Sequence, residues 1–191
     1  MEEIDPRRLL VKITDVLGKL KIPYATTGGM AVFVWGRPRF TADIDIVLLL
    51  DTLQINPLVE ALEAISEVSY IDKDAVKTAL ERHGEFNFID GASGIKVDFW
   101  IIGGRVFDKE QLSRRITKDI LGHQVYFVSP EDLILNKLLW YKESGSTRQL
   151  EDVESILKIQ KKLDWKYLKK WAKEQATLKI LNTLWKKNSK N

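Results

Sequence analysis

Cysteine is absent from the 191 residues, so disulfides and thiolate metal sites are excluded. Histidine is nearly absent too: His83 and His123 are too few for a histidine-rich zinc site. Long apolar runs are lacking, and the longest, around residues 44–50, falls far short of the roughly 20 residues a membrane-spanning helix needs. The opening MEEIDPRR is acidic and has no apolar stretch, so it does not read as a signal peptide. A soluble, cytoplasmic protein with no membrane partner is expected. There is no internal repeat and no low-complexity stretch. Against these absences, 45% hydrophobic and 30% charged residues mark an ordered globular chain. The length suits one domain, or a core with a small appendage.

Charge is unevenly spread. From Lys158 to the end there are eleven lysines against Asp164 and Glu174, a net +9, while the rest carries 19 basic and 25 acidic residues, a net −6. A metal-binding core beside a polyanion-binding surface gives such a pattern, and so does a solvated lysine-rich helix.

Asp5-Pro6 supplies a helix cap followed by a proline at the first helical position. Leu9, Leu10, Ile13, Val16, Leu17 and Leu20 then recur at helical spacing, predicting an amphipathic helix to about Leu20. Tyr24-Ala25-Thr26 reads as a short strand, and Gly28-Gly29 leads into a buried helix over residues 30–35, stopped by Gly36 and Pro38. Residues 45–50 read as a fully buried strand, Asn56-Pro57 opens a helix to about Ile65, and Asp72 caps another through Arg82. Residues 85–90 and 96–102 read as a hairpin turning at 91–94, and a second strand pair is predicted over 115–120 and 124–128. From Ser129-Pro130-Glu131-Asp132 onward the pattern is helical, with further helices from about Thr147, Trp165 and Gln175. Strands first and helices last predict an α+β fold, with a core over residues 1–128 and a C-terminal helical region over 129–191 packed on it.

The chemistry concentrates in Thr27-Gly28-Gly29, a short helix, and then Thr41-Ala42-Asp43-Ile44-Asp45 opening an apolar strand. Two glycines at a strand-to-helix junction let backbone N–H groups approach a phosphate, and the helix N-terminus adds its positive end. In a strand, Asp43 and Asp45 are two apart and point to one face, where their mutual repulsion calls for a cation. Oxygen-only ligands suit Mg²⁺, which also bridges nucleotide phosphates. Glycine-cradled phosphates and a carboxylate-held metal are the parts nucleotidyl transfer requires.

Gly28-Gly29 followed by Asp43-Ile44-Asp45 resembles the signature of the DNA polymerase β-like nucleotidyltransferase superfamily. The longer run TGGMAVFVWGRPRFTADIDIVL is similar to its bacterial AbiEii-like branch, some members of which act as toxins. The resemblance implies a small mixed or antiparallel sheet flanked by helices, with Mg²⁺ (or Mn²⁺) as cofactor and an NTP as substrate. It also implies a third carboxylate on a later strand, matched by Asp98 in Ile95-Lys96-Val97-Asp98-Phe99-Trp100; the other reading of Asp98 is a buried aspartate paired with Lys96 or an arginine. By the same likeness Asp43 and Asp45 hold one metal, Asp45 and Asp98 share a second, and Asp98 helps activate the acceptor hydroxyl. Gly28, Gly29, Arg37, Lys137 and Arg148 are implied nucleotide-binding residues, with Arg39 near the same phosphates and Asp152 orienting Lys137. For Arg37 the alternative is a merely solubilising surface charge. The family's toxins carry Lys-Asp-x-x-Asp where this chain has Glu151-Asp152-Val153-Glu154-Ser155. Trp165, Leu168 and Trp171 lie at helical spacing and read as core rather than ligand-stacking residues.

Three functions follow as expectations: transfer of an NMP group from an NTP to a hydroxyl of RNA, protein or a small molecule; nucleotide or RNA binding without catalysis; or a component of a toxin–antitoxin-type module with a protein partner. The basic C-terminal stretch favours RNA as acceptor.

Overall fold

A computed structural model describes residues 5–41 and 43–188. Residues 1–4, Ala42 of the dyad's approach and Lys190 of the basic stretch lie outside the described residues. The fold is α+β: one mixed sheet of seven strands, flanking helices and a helical C-terminal region. By contacts the chain divides into two compact units, one running to Thr27 and resuming at Thr41–Phe127, the other formed by Gly28–Phe40 and the chain from Val128 onward.

In the first unit, helix α1 (Pro6–Lys19) starts where the Asp5 carboxylate accepts the Arg7 N–H, and it encloses Leu10, Ile13 and Leu17 completely. Strands β1 (Tyr24–Thr27), β2 (Asp43–Leu48), β3 (Tyr70–Ile71), β4 (Glu85–Asp90), β5 (Ile95–Ile101), β6 (Ile116–Ile120) and β7 (His123–Phe127) are arranged β3-β4-β5-β2-β1-β7-β6. The pairs β2–β5 and β1–β7 are parallel, and the other neighbours are antiparallel. Helices α3 (Ile55–Glu63), α4 (Lys73–Arg82) and α5 (Val106–Ser113) complete the unit. Ile44, Ile46 and Leu48 alternate with the dyad and are fully enclosed, as are their neighbours Val97, Phe99 and Phe88. Each such side chain contributes about 1.5–3 kcal/mol on burial, so a one-residue slip of β2 would drive Asp43 and Asp45 into the core at the expense of these apolar groups. That asymmetry fixes which way the carboxylates face.

In the second unit, α2 (Gly28–Trp35) joins α6 (Pro130–Ser144), α7 (Thr147–Ile159), α8 (Trp165–Glu174) and α9 (Leu178–Asn188). Ser129 caps α6: its hydroxyl accepts the Asp132 N–H and donates to Asp132 Oδ2 at 2.6 Å, while the Tyr167 hydroxyl donates to Oδ1 at 2.7 Å. Trp35 Nε1 donates to the Val128 carbonyl at 2.9 Å, and Gln160 Nε2 donates to the Trp35 carbonyl at 2.7 Å. Leu168 and Trp171 are core residues, as their spacing predicts, whereas Trp165 is half-buried with its ring centroid 5.3 Å from that of Trp185. Among the described residues no helix is long and apolar enough to cross a membrane.

Several boundaries differ from the sequence expectation. β2 begins at Asp43, two residues early, because it pairs with β5 along its whole length. α2 starts at Gly28, whose φ of 58° turns the chain straight out of β1. The last helix starts at Leu178, since Ala176 takes a left-handed conformation (φ 55°) after α8.

Candidate functional site

The sheet brings the three predicted carboxylates to one face. In the parallel β2–β5 pair Asp43 lies opposite Lys96 and Asp45 opposite Asp98. Across the other edges, Asn87 of β4 faces Asp98 and Thr27 of β1 faces Asp45. Asp43 and Asp45 are half-buried, and Asp98 is 9% exposed. Asp98 Oδ2 receives Lys96 Nζ at 2.8 Å, while its Oδ1 is buried with no hydrogen-bond partner among the described residues. The Asp98 hydrogen bond raises the Lys96 pKa above the ordinary lysine value; burial opposes this, and the charges of Asp98, Asp43 and Asp45 add to the rise. The ammonium therefore lies in the field of all three carboxylates. Among the described residues no group of three or more His, Asp and Glu side chains stands assembled to hold a metal ion.

Donor chemistry is nonetheless right for Mg²⁺ or Mn²⁺: hard oxygen ligands, three carboxylates on one face, and a buried carboxylate oxygen without a hydrogen-bond partner among the described residues. The residues present fit such an ion. Asn87 is the site neighbour that sequence reasoning missed, and Thr27 was singled out only as the residue before Gly28-Gly29. Counting back from the 91–94 turn, which sets Asp90 against Ile95, would have placed Asn87 beside Asp98.

In the second unit the predicted cations fall into two groups. Lys137 is 3% exposed, with Nζ 2.9 Å from Asp152 Oδ2. Arg39 grips the same carboxylate with both ends of its fork, Nε to Oδ1 at 2.8 Å and Nη2 to Oδ2 at 2.7 Å. Burial alone would push the Asp152 pKa up; the Arg39 hydrogen bonds and the Lys137 ammonium outweigh it and hold the carboxyl below its usual range. Arg37 and Arg148 are exposed, and Arg148 Nη2 donates to the Phe40 carbonyl at 3.3 Å. The Arg37 N–H donates to the Ser155 hydroxyl at 3.2 Å, and that hydroxyl donates in turn to the Asp152 carbonyl at 2.8 Å. A Cβ on Gly36 would lie 2.5 Å from Ser155 Oγ, so the glycine permits this close approach. Arg37, Arg39, Glu151, Glu154, Ser155 and Lys158 surround an open cavity of about 370 Å³. The segment from Arg148 to Ser155 thus fastens the loop of residues 36–40 at several points.

Residues 14–181 match the family described as "Nucleotidyl transferase AbiEii toxin, Type IV TA system". The chain belongs to the AbiEii nucleotidyltransferase family. No curated protein sequence matches it. Solved structures share the fold. An antigenic nucleotidyltransferase-like protein from Paracoccidioides brasiliensis has a TM-score of 0.56 at 19% identity, covering 94% of this chain and 91% of its own. ANT(2")-Ia in complex with adenylyl-2"-tobramycin scores 0.56 at 14% identity, with coverage of 93% and 98%. The lincosamide antibiotic adenylyltransferase LnuA, lincomycin-bound, scores 0.53 at 16% identity, with coverage of 82% and 98%. At these identities the likeness is one of fold.

Proposed function

We propose that this AbiEii-family chain is a Mg²⁺- (or Mn²⁺-) dependent enzyme that moves an NMP group from an NTP to a hydroxyl. The observation that carries the reading is the β2–β5 register, which sets Asp43, Asp45 and Asp98 on one sheet face and leaves Asp98 Oδ1 buried without a partner among the described residues. Asp43 and Asp45 would hold the ion that accompanies the triphosphate, Asp45 and Asp98 would hold a second, and such ions would supply charge stabilisation for the attacking and leaving oxygens of an in-line displacement. Asp98 Oδ1 takes the proton of the acceptor hydroxyl as its oxygen bonds to the α-phosphorus, the bond to the β-phosphate oxygen breaks, and pyrophosphate leaves.

Gly28 and Gly29 at the start of α2 offer backbone N–H groups, and the exposed Arg37 and Arg148 offer guanidinium groups, to the phosphates. Lys137, joined to Arg39 through their shared Asp152 partner, is assigned to the same phosphate-binding set. RNA is the acceptor class favoured by charge: Lys166, Lys169, Lys170 and Lys173 form an exposed stripe along α8. The family's toxin–antitoxin description supports a protein partner as well. A specific observation favours nucleotide binding without catalysis as the second reading: Asp98 and Lys137 are both held in ion pairs.

The deciding experiment incubates the protein with labelled NTPs, Mg²⁺ and total RNA or lysate. Label transfer by the wild type and its loss in an Asp43→Ala/Asp45→Ala variant is the expected result. Equal labelling by the two would sink the proposal, whereas metal-independent ATP binding in calorimetry with no label transferred would establish the second reading.

A further inference from the structure

We infer that Lys96 is a displaceable internal counter-ion: its ammonium pairs with Asp98 Oδ2 on the carboxylate face, and a divalent cation bound there competes with it for that carboxylate. This rests on the reading that Asp43, Asp45 and Asp98 hold the metal. The placement is set by the backbone. Lys96 lies opposite Asp43 and two residues before Asp98, so all four side chains rise from the same face of β2 and β5. Nζ sits 2.8 Å from Asp98 Oδ2. The Lys96 side chain is 40% exposed against 12% for Asp98, so the ammonium can leave toward solvent while the carboxylate stays in place.

Two opposing consequences follow from Coulomb's law. Without metal, removing the ammonium takes from the buried Asp98 its Oδ2 partner and removes a positive charge from beside the carboxylates, so the metal-free protein loses stability. With metal, the same removal deletes a competitor and a like charge beside the incoming cation, so divalent affinity rises, by about threefold to tenfold for a partly exposed charge. A lysine that merely supported the strand would lower stability and leave metal affinity unchanged or weaker.

The test measures Mn²⁺ binding by calorimetry, and thermal melting in EDTA and in Mn²⁺, for the wild type, Lys96→Met and Lys96→Arg. We expect Lys96→Met to melt below the wild type in EDTA, to bind Mn²⁺ about threefold to tenfold more tightly and to gain more from Mn²⁺ in melting. Lys96→Arg, which keeps the charge, should stay within about twofold of the wild type in Mn²⁺ affinity. Equal or weaker Mn²⁺ binding by a folded Lys96→Met overturns the inference and leaves the metal-dependent reading standing. Binding by Lys96→Met alone, with none by the wild type, supports the inference and overturns that reading. If neither binds Mn²⁺, both fall.

Discussion

Asp152 serves two cations at once, and its geometry shows what a single side chain contributes. Its carboxylate is 4% exposed and meets Lys137 Nζ at 2.9 Å and the Arg39 fork at 2.7 Å. Lys137 is buried as well, so losing the Asp152 carboxylate removes a charge that offsets the desolvation of its ammonium. Asp152→Asn should therefore cost about 3 kcal/mol at neutral pH in a denaturant melt. The pH dependence has a defined sign. Because the folded carboxyl titrates below its ordinary value of 3.8, its contribution is complete above that value and is lost as pH falls toward the lower folded pKa. The stability gap between wild type and Asp152→Asn should thus narrow below about pH 4, when both are followed by denaturant titration from pH 7 downward. A gap that stays constant to pH 2.5 would show that the pair contributes through packing rather than charge.

At the scale of elements, α7 and the loop of residues 36–40 fit each other through a serine and a glycine. The Arg148–Ser155 segment departs from the family's Lys-Asp-x-x-Asp pattern, and the structure gives that departure a physical setting: Ser155 Oγ occupies the space beside Gly36 and bonds the Arg37 N–H. Gly36→Ala should cost about 1–3 kcal/mol through overpacking. Trimming the hydroxyl should recover about 1 kcal/mol of that, so the double variant Gly36→Ala/Ser155→Ala will be more stable than the two single losses sum to. Strict additivity in the cycle would disprove the close fit. Helices with side-chain caps were readable in advance: Asp5, Asp72, Ser129 and Asp164 each accept the N–H groups that mark a start. α5 was not readable, because Arg105 at its cap makes no side-chain bond and its apolar residues lack a clear helical period. β3 is two residues long and exists by pairing with β4, a non-local cause that no local pattern records. In the site, the same-face placement of Asp43 and Asp45 followed from strand period, whereas Asp98 entered only through the family resemblance, because the β2–β5 register that sets it opposite Asp45 is non-local. The Arg39–Asp152 bond did not, because it joins residues 113 apart whose meeting depends on how the helices pack.

Across the whole molecule the charge asymmetry of the sequence becomes a surface. Lys166, Lys169, Lys170 and Lys173 are all exposed at helical spacing on α8, whose opposite face buries Leu168 and Ala172 completely. Lys169 Nζ lies 5.7 Å from the ring centroid of Trp185, which is 41% exposed, so cation and aromatic surface occur together. A stripe of this kind neutralises phosphates irrespective of base sequence, and its affinity must fall as salt rises because bound counter-ions are released. Replacing the four lysines by glutamine should weaken binding of a single-stranded RNA and reduce the slope of log affinity against log salt by about 2–3, since each phosphate contact contributes about 0.7. The four substitutions lie on the exposed face, so the melting temperature should stay near that of the wild type, which separates loss of binding from loss of fold. An unchanged slope in the quadruple variant would mean that the lysines only solvate the helix, and the charge argument for an RNA acceptor would go with it. A slope lowered by the expected amount, with label transfer to RNA reduced in parallel, would tie the basic face to the acceptor through the phosphates it neutralises.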